Sequence, residues 1–490
     1  MENSIYRNLI FDLSKAGRRG HYLPKNDVPD KNPEQLIDKK FIRKKSADLP
    51  QVAENEVVRH FITISSLNHH IDKAIYPLGS CTMKYNPKIN EKIAALHQFS
   101  RLHPEQEDIQ TQGALQILYE LQEYLKEITG MAAVSLQPAA GSQGELVGLL
   151  LMQHYHQKKG EKRNIILIPD SAHGTNPASA IIAGFEIRTI KSNQQGTINI
   201  ADLREKITQN VAGLMLTNPN TLGIFEDQVK EIKALLENVD ALFYMDGANM
   251  NALFGIVRPG DMGFDVMHLN LHKSFSTPHG GGGPGAGPVA VNKKLVAFLP
   301  QPIVEFDGEK YYFNYNDEHS IGSVHTFFGN FALLLRAYVY IRLMGAEGFR
   351  KIAEHAIINA NYLLSRLKGH FELGFATQSM HEFVISAEKQ KQKGAKALDI
   401  AKRLLDFGIH PPTVYFPLIV KEAMMVEPTE TESKEMLDHF ANIMIQIDQE
   451  IETNPDLLHT APHYTPVRRL DEVAAARNLD VNYFKAKRME

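Results

Sequence analysis

Between residues 164 and 273 short apolar runs alternate with polar turns and helical stretches, and each run stops at a residue able to do chemistry. Asn164–Ile168 reads as a strand, followed by a loop, Asp170–Asn176, that carries His173; Asn176 reads as the cap of a helix starting at Pro177. Ala212–Thr217 is a second strand, ending in Thr217-Asn218-Pro219-Asn220-Thr221, with a helix near Glu226–Glu237. Ala241–Met245 is a third and ends on Asp246-Gly247-Ala248-Asn249. Val266–Leu271 is a fourth and delivers His272 and Lys273 to its end. Strands that alternate with helices pair in parallel, and such open sheets collect ligands beyond their carboxyl ends. The pattern therefore predicts an α/β fold in which His173, Asn218, Asp246 and Lys273 share one site.

Those residue types suit one chemistry. A lysine in a largely enclosed site loses its charge more readily, and the neutral amine forms a Schiff base with an aldehyde. The aldehyde cofactor this implies is pyridoxal phosphate. An aspartate keeps its pyridine nitrogen protonated, which makes the ring an electron sink, and Asp246 fits that part. His173 can stack on the ring, and Asn218 or Thr217 can bond its phenolic oxygen. Ala248 and His272, beside Asp246 and Lys273, join the expected cofactor shell. Upstream, Gly141-Ser142-Gln143 opens an apolar helix, and its unpaired N–H groups, with Ser142 and Gln143, make a phosphate seat. Ser142 reads equally as a plain N-cap. Six of the eight residues from Gly280 to Gly287 are glycine, which lets backbone pass close to a bound group. Taken singly, a lysine at a strand end reads as a surface residue and an aspartate as a turn-former; their convergence carries the argument.

The 490 residues allow two or three domains, and 43% apolar with 22% charged residues is an ordinary globular balance. A net charge of −4 argues against a nucleic-acid partner. The single cysteine, Cys81, excludes an intrachain disulfide, and the expected compartment is the cytoplasm. No apolar run is long enough for a membrane span, and no metal site is expected. Residues 1–75 read as an arm with one helix, 76–330 as a large α/β domain, 331–450 as a small C-terminal α+β domain, and 451–490 as an extension. Within these, 113–129 has helical spacing with Leu115, Leu118, Leu121, Leu125 and Ile128 on one face, and Thr326–Leu343 reads as a buried helix. Glu427-Pro428-Thr429-Glu430 is read as opening a helix to about Asp448. The turn Ser80-Cys81-Thr82 can offer hydroxyls and N–H groups to a small carboxylate, or simply cap a turn.

The motifs GRRGHYLP from Gly17, YPLGSCTMKYNP, QPAAGSQGE, DSAHGTNPASA, LTNPNTLG, MDGANMNA, LNLHKSFSTPHGGGGPGAGP, HPPTVYFP and EPTETESKE span nearly the whole chain. Together they resemble the glycine cleavage system P-protein, glycine dehydrogenase (decarboxylating), in the second subunit of its split form. Ser274 stands where threonine is more usual after the lysine. The resemblance implies the aspartate-aminotransferase-like, type I fold of pyridoxal-phosphate transferases. It implies Lys273 as the covalent attachment point, Asp246 as the pyridine partner, His173 as the stacking imidazole, and phosphate at Ser142 and Gln143. It also implies decarboxylation of glycine, transfer of the aminomethyl group to the lipoyl arm of the H-protein, and an α2β2 assembly with subunit 1. Ser80, Cys81 and Thr82 are the expected contacts of glycine. The alternatives are another enzyme of that fold, such as an amino-acid decarboxylase or a cysteine desulfurase, and a non-catalytic subunit.

Overall fold

The computed structural model describes residues 4–279 and 285–486, so most of the glycine run, 280–284, lies outside the described residues. The chain divides into two units, residues 1–70 and 71–490. In the first, the one α-helix is Glu54–Leu67, preceded by extended chain with short 3-10 turns. The Glu56 carboxylate accepts the Ala53 N–H at 2.8 Å and pairs with Arg18, which closes the helix's first turn.

The second unit is organised by a seven-stranded sheet: β1 Ala133–Ser135, β2 Ile165–Pro169, β3 Glu186–Ile190, β4 Val211–Thr217, β5 Leu242–Gly247, β6 Val266–Leu269 and β7 Val289–Val291. Their spatial order is β1-β7-β6-β5-β4-β2-β3. Strands β6, β5, β4, β2 and β3 run parallel, while β7 is antiparallel to both β6 and β1. The inner strands β5 and β6 are buried at every position, which is why they read as unbroken apolar runs. The helix Gln112–Thr129 lays Leu115, Leu118, Leu121 and Leu125 into this core, the face its spacing predicts, and stops at Gly130 with φ 69°.

A smaller antiparallel sheet combines β10 Glu372–Leu373, β11 Phe383–Ser386, β12 Thr413–Val414 and β13 Ala423–Val426 in the order β10-β11-β13-β12. The hairpin β8 Ile303–Phe306 and β9 Tyr311–Asn314 stands apart from both sheets. The long helix Phe331–Leu367 serves both cores: Leu333, Leu334 and Ala337 pack beside the large sheet, and Ala360, Leu363 and Leu367 beside the small one. It begins at Phe331 rather than at Thr326, because Gly329 takes φ 90° just before it. The last long helix is Lys434–Thr453, capped by Ser433, whose hydroxyl accepts from the Met436 N–H at 3.3 Å. The expected start at Glu427 is displaced because Glu427 is fully buried and bonded elsewhere. No helix among the described residues is long and apolar enough to cross a membrane.

Candidate active site

Lys273, Asp246, His173, Ser142, Ala248 and Ser80 line one cavity beyond the carboxyl ends of β2, β4, β5 and β6. A larger hollow of about 860 Å³ lies elsewhere, against Phe313, Phe327 and Phe328, but it gathers no comparable set of reactive groups. The turn after β6 aims the Lys273 ammonium at the Ser80 carbonyl, 2.7 Å from Nζ.

Asp246 ends β5 and is 5% exposed. Its Oδ2 accepts from Asn176 Nδ2 and its Oδ1 from the Ala248 N–H, both at 3.0 Å. His268 Nε2 stands 3.5 Å from Oδ1, and Tyr244 OH lies 2.6 Å from His268 Nδ1. If the tyrosine donates, the imidazole proton sits on Nε2, facing the carboxylate. Burial alone would raise the Asp246 pKa, but His268, the two hydrogen bonds and Lys273 outweigh it and hold the carboxyl below its usual range. Asn176 also donates to Glu145 Oε1 at 3.0 Å, so one amide bridges two carboxylates. Burial and the Asp246 charge push Glu145 up to about 7. Asn176 is therefore not the expected cap: the helix Thr175–Ile182 starts two residues before Pro177, with Gly174 as its cap, and the amide is spent inside the site.

The helix Gly141–Lys158 opens against Lys273's end of the sheet with Ala140 as N-cap and no side-chain cap, leaving its first N–H groups available. Ser142 lies inside the first turn, exposed to the cavity, rather than at the cap. A Cβ on Gly141 would fall 1.8 Å from Asn270 Oδ1, a buried atom without a hydrogen-bond partner, so only glycine fits there. A Cβ on Gly287 would fall 2.1 Å from the Ala140 carbonyl. The described end of the glycine run thus serves close packing under the helix start.

Five expected residues do not line the cavity. Gln143 spends its amide on the Ala139 N–H and the Val324 carbonyl, at 2.6 Å each. Asn218 accepts from the Glu226 N–H at 3.0 Å and donates to the Glu226 carbonyl at 3.3 Å; Thr217, with a buried and unpartnered hydroxyl, faces the cavity instead. His272 packs edge-on against His279, and burial with the Lys273 charge holds it at about 3. The Thr82 hydroxyl donates to Glu427 Oε1 at 2.8 Å and is 1% exposed, so it is committed to the fold. Cys81 lies between these, its thiol pushed up by burial. His173 keeps its place: its Nδ1 accepts from the Thr175 N–H at 3.2 Å, its ring meets Phe416 edge-on, and burial followed by Lys273 lowers its pKa.

Sequence reading passed over Glu145, Asn176, His268, Glu382 and Glu427. Glu382 Oε2 accepts from the Ser80 N–H at 2.7 Å, and Glu427 Oε2 from the Thr82 N–H at 3.0 Å. These two bonds hold Ser80 and Thr82 at φ 65° and 47°, in the left-handed region. One signal was available: a glutamate ending or interrupting an apolar run, as in Glu382-Phe383-Val384-Ile385 and Met424-Met425-Val426-Glu427, must be buried and must find a partner.

The glycine cleavage system P-protein model matches residues 25–310, and the glycine dehydrogenase C-terminal domain matches 352–463. The chain is 60% identical over 479 residues, 97% of each protein, to the “probable glycine dehydrogenase (decarboxylating) subunit 2” of Chloroherpeton thalassium. It is 55% identical over 470 residues, 96% of each, to the protein of the same name from Staphylococcus aureus strain Newman. Among solved structures, an inhibitor-bound glycine decarboxylase (P-protein) of the glycine cleavage system aligns with a TM-score of 0.74 and 20% identity, covering 87% of this chain and all of that one. An alanine–glyoxylate aminotransferase from Nostoc aligns with a TM-score of 0.58 and 15% identity, over 76% and 95%. The fold is the type I fold of pyridoxal-phosphate-dependent enzymes. By family model, by near-complete coverage and by fold, the chain belongs to the glycine cleavage system P-protein family, the glycine dehydrogenases (decarboxylating).

Proposed function

We propose that this chain, in the cytoplasm and paired with subunit 1 as α2β2, decarboxylates glycine and passes the aminomethyl group to the lipoyl disulfide of the H-protein. Lys273 is the covalent attachment point of pyridoxal phosphate. The observation that carries this reading is the meeting of Lys273, Asp246 and an uncapped helix start in one cavity.

The residues present fit the cofactor. Ionised Asp246 suits a protonated pyridine nitrogen, and the fixed Asn176, Ala248 and His268 contacts keep it so. The N–H groups of Gly141–Gln143 and the Ser142 hydroxyl suit a dianionic phosphate. Two buried oxygens lacking partners, Thr217 Oγ1 and Asn270 Oδ1, mark positions where a bound polar group would satisfy them. When bound, pyridoxal phosphate supplies the electron sink that accepts the pair left as CO2 departs. His173, on the wall of the same cavity, would shield one face of the bound group from water, and Lys273 would hold a proton at its Nζ beside the substrate's amine. Ser80 borders the glycine carboxylate, with Cys81 behind it and Thr82 as the buttress that holds their turn.

Exchange of labelled bicarbonate into the carboxyl of glycine, with lipoylated H-protein, tests the reading. Exchange with subunit 1 present and none without it is the expected result. No exchange in either case, with a normal cofactor spectrum, would move the chain to another pyridoxal-phosphate reaction.

A further inference from the structure

The reaction proposed above takes up a proton. Glycine enters as a zwitterion and CO2 leaves; the pair from the broken C–C bond forms the C–S bond. The pair from the broken S–S bond departs with the second sulfur. That sulfur is a thiolate until an acid protonates it, and an ordinary thiol, with pKa about 8.5, is basic enough to require one in an enclosed site.

Glu382 lines the cavity and is 3% exposed. Its Oε2 accepts one hydrogen bond, from the Ser80 N–H, and its Oε1 faces His381 Nε2 at 3.9 Å. Glu427, fully buried, brings a carboxylate oxygen to within 4.8 Å of both. The two glutamates are not equivalent. Glu427 accepts from the Thr82 N–H, the Thr82 hydroxyl and Asn249 Nδ2, at 3.0, 2.8 and 2.9 Å. Three donors against one favour the charge on Glu427, so the proton of the pair resides on Glu382. Burial and the Glu427 charge push Glu382 well above the usual carboxylate range.

The other titratable groups facing the pair do not replace it. His381 has no hydrogen-bond partner at either ring nitrogen, and burial with the Lys273 charge holds it neutral at about 3, so it has no proton to give as an acid. The Cys81 thiol, raised by burial, does not line the cavity. Lys273 is engaged with the cofactor in the reading on which this inference rests.

We propose that Glu382 is a further catalytic residue, the acid that protonates the departing sulfur of the lipoyl disulfide, and that Glu427 is its positioning residue. Glu382 becomes a carboxylate as the dithiol's second S–H forms, and water entering with product release returns the proton.

The test uses the holoenzyme with its partner subunit, lipoylated carrier protein, and the variants Glu382→Gln and Glu382→Asp. At neutral pH wild type should show an infrared carbonyl band of a protonated carboxylic acid beyond those of the glutamates held near 7, such as Glu145. The wild-type minus E382Q difference spectrum should isolate it, because E382Q lacks that band. Glycine should still perturb the cofactor's visible band in E382Q, while aminomethyl transfer falls about 10²- to 10⁴-fold and recovers in part with E382D or added formate. In wild type, transfer should decline as pH rises through the range in which the infrared band disappears. Transfer by E382Q at the wild-type rate would overturn the proposal, and so would a wild type with no such band at neutral pH, whether or not the variants fold. A wild type that binds glycine but transfers nothing to the lipoyl carrier would overturn instead the function on which the proposal rests.

Discussion

Two pairs of buried carboxylates flank Lys273, and their differences are instructive. Glu145 and Asp246 share the Asn176 amide, with His268 behind Asp246. Glu382 and Glu427 lie beneath the Ser80–Thr82 turn, with donors from its backbone, the Thr82 hydroxyl and Asn249. In the first pair the member facing His268 and Lys273 is the better carboxylate, in the second the member with more donors, and in each the neighbour keeps the proton longer. Nearby positive charge sorts the first pair, since Glu145 does not lack hydrogen bonds, and the count of donors sorts the second. The first pair gives an anion on one side of Lys273, where the proposed function places the cofactor, and the second gives a neutral acid on the other, where it places the substrate.

The most severe way to break this comparison is to remove the cation between the pairs. Lys273→Ala should abolish bicarbonate exchange and the borohydride-sensitive visible band; substantial residual turnover would end the assignment of the attachment point. Next, Asp246→Asn takes the charge from the first pair, and turnover should fall about 10²- to 10³-fold, read as kcat, with altered pH dependence of the cofactor spectrum. Glu145→Gln should act on stability. A free glutamate titrates near 4.5 and folded Glu145 near 7, so between these values the folded state binds more protons and wild-type stability falls as pH rises. The glutamine avoids that loss, and melting of the apoproteins should show E145Q gaining on wild type from pH 4.5 to 7, by up to ~3 kcal/mol. A constant gap across that range would remove Glu145 from the comparison. The smallest effect belongs to the second pair's brace: Thr82→Val deletes one of three donors to Glu427 and should cost about 1 kcal/mol in denaturant unfolding.

The large sheet was legible because β4, β5 and β6 are buried on both faces and must therefore be continuous apolar runs. Asp246 and Lys273 stood out as the polar residues at which such runs end. β3 escaped because an edge strand with one solvated side, Glu186-Ile187-Arg188-Thr189-Ile190, leaves no such run. Asn176 was misread for a different reason: a polar residue before Pro177 satisfies every local rule for a cap, and only the fold brings Glu145 and Asp246 to its amide. Asn218 was likewise the plausible choice at a strand end, but its amide is bonded to the Glu226 backbone and does not line the cavity. Glu427 was read as a helix start because Glu-Pro-Thr-Glu resembles one; its burial is a property of the packed sheet, invisible to any short window.

The hydrogen bonds that brace the Ser80–Thr82 turn join positions 302 and 345 apart in sequence. On a ribosome adding about 5–20 residues per second, the turn waits tens of seconds for Glu427 to be made. In the later part of that interval the large sheet and Lys273 already exist, but the left-handed Thr82 has no carboxylate to hold it. The turn is therefore braced late, and a ribosome that stalls between Lys273 and Glu427 leaves a protein with its lysine in place and the wall of the cavity beside it unbraced.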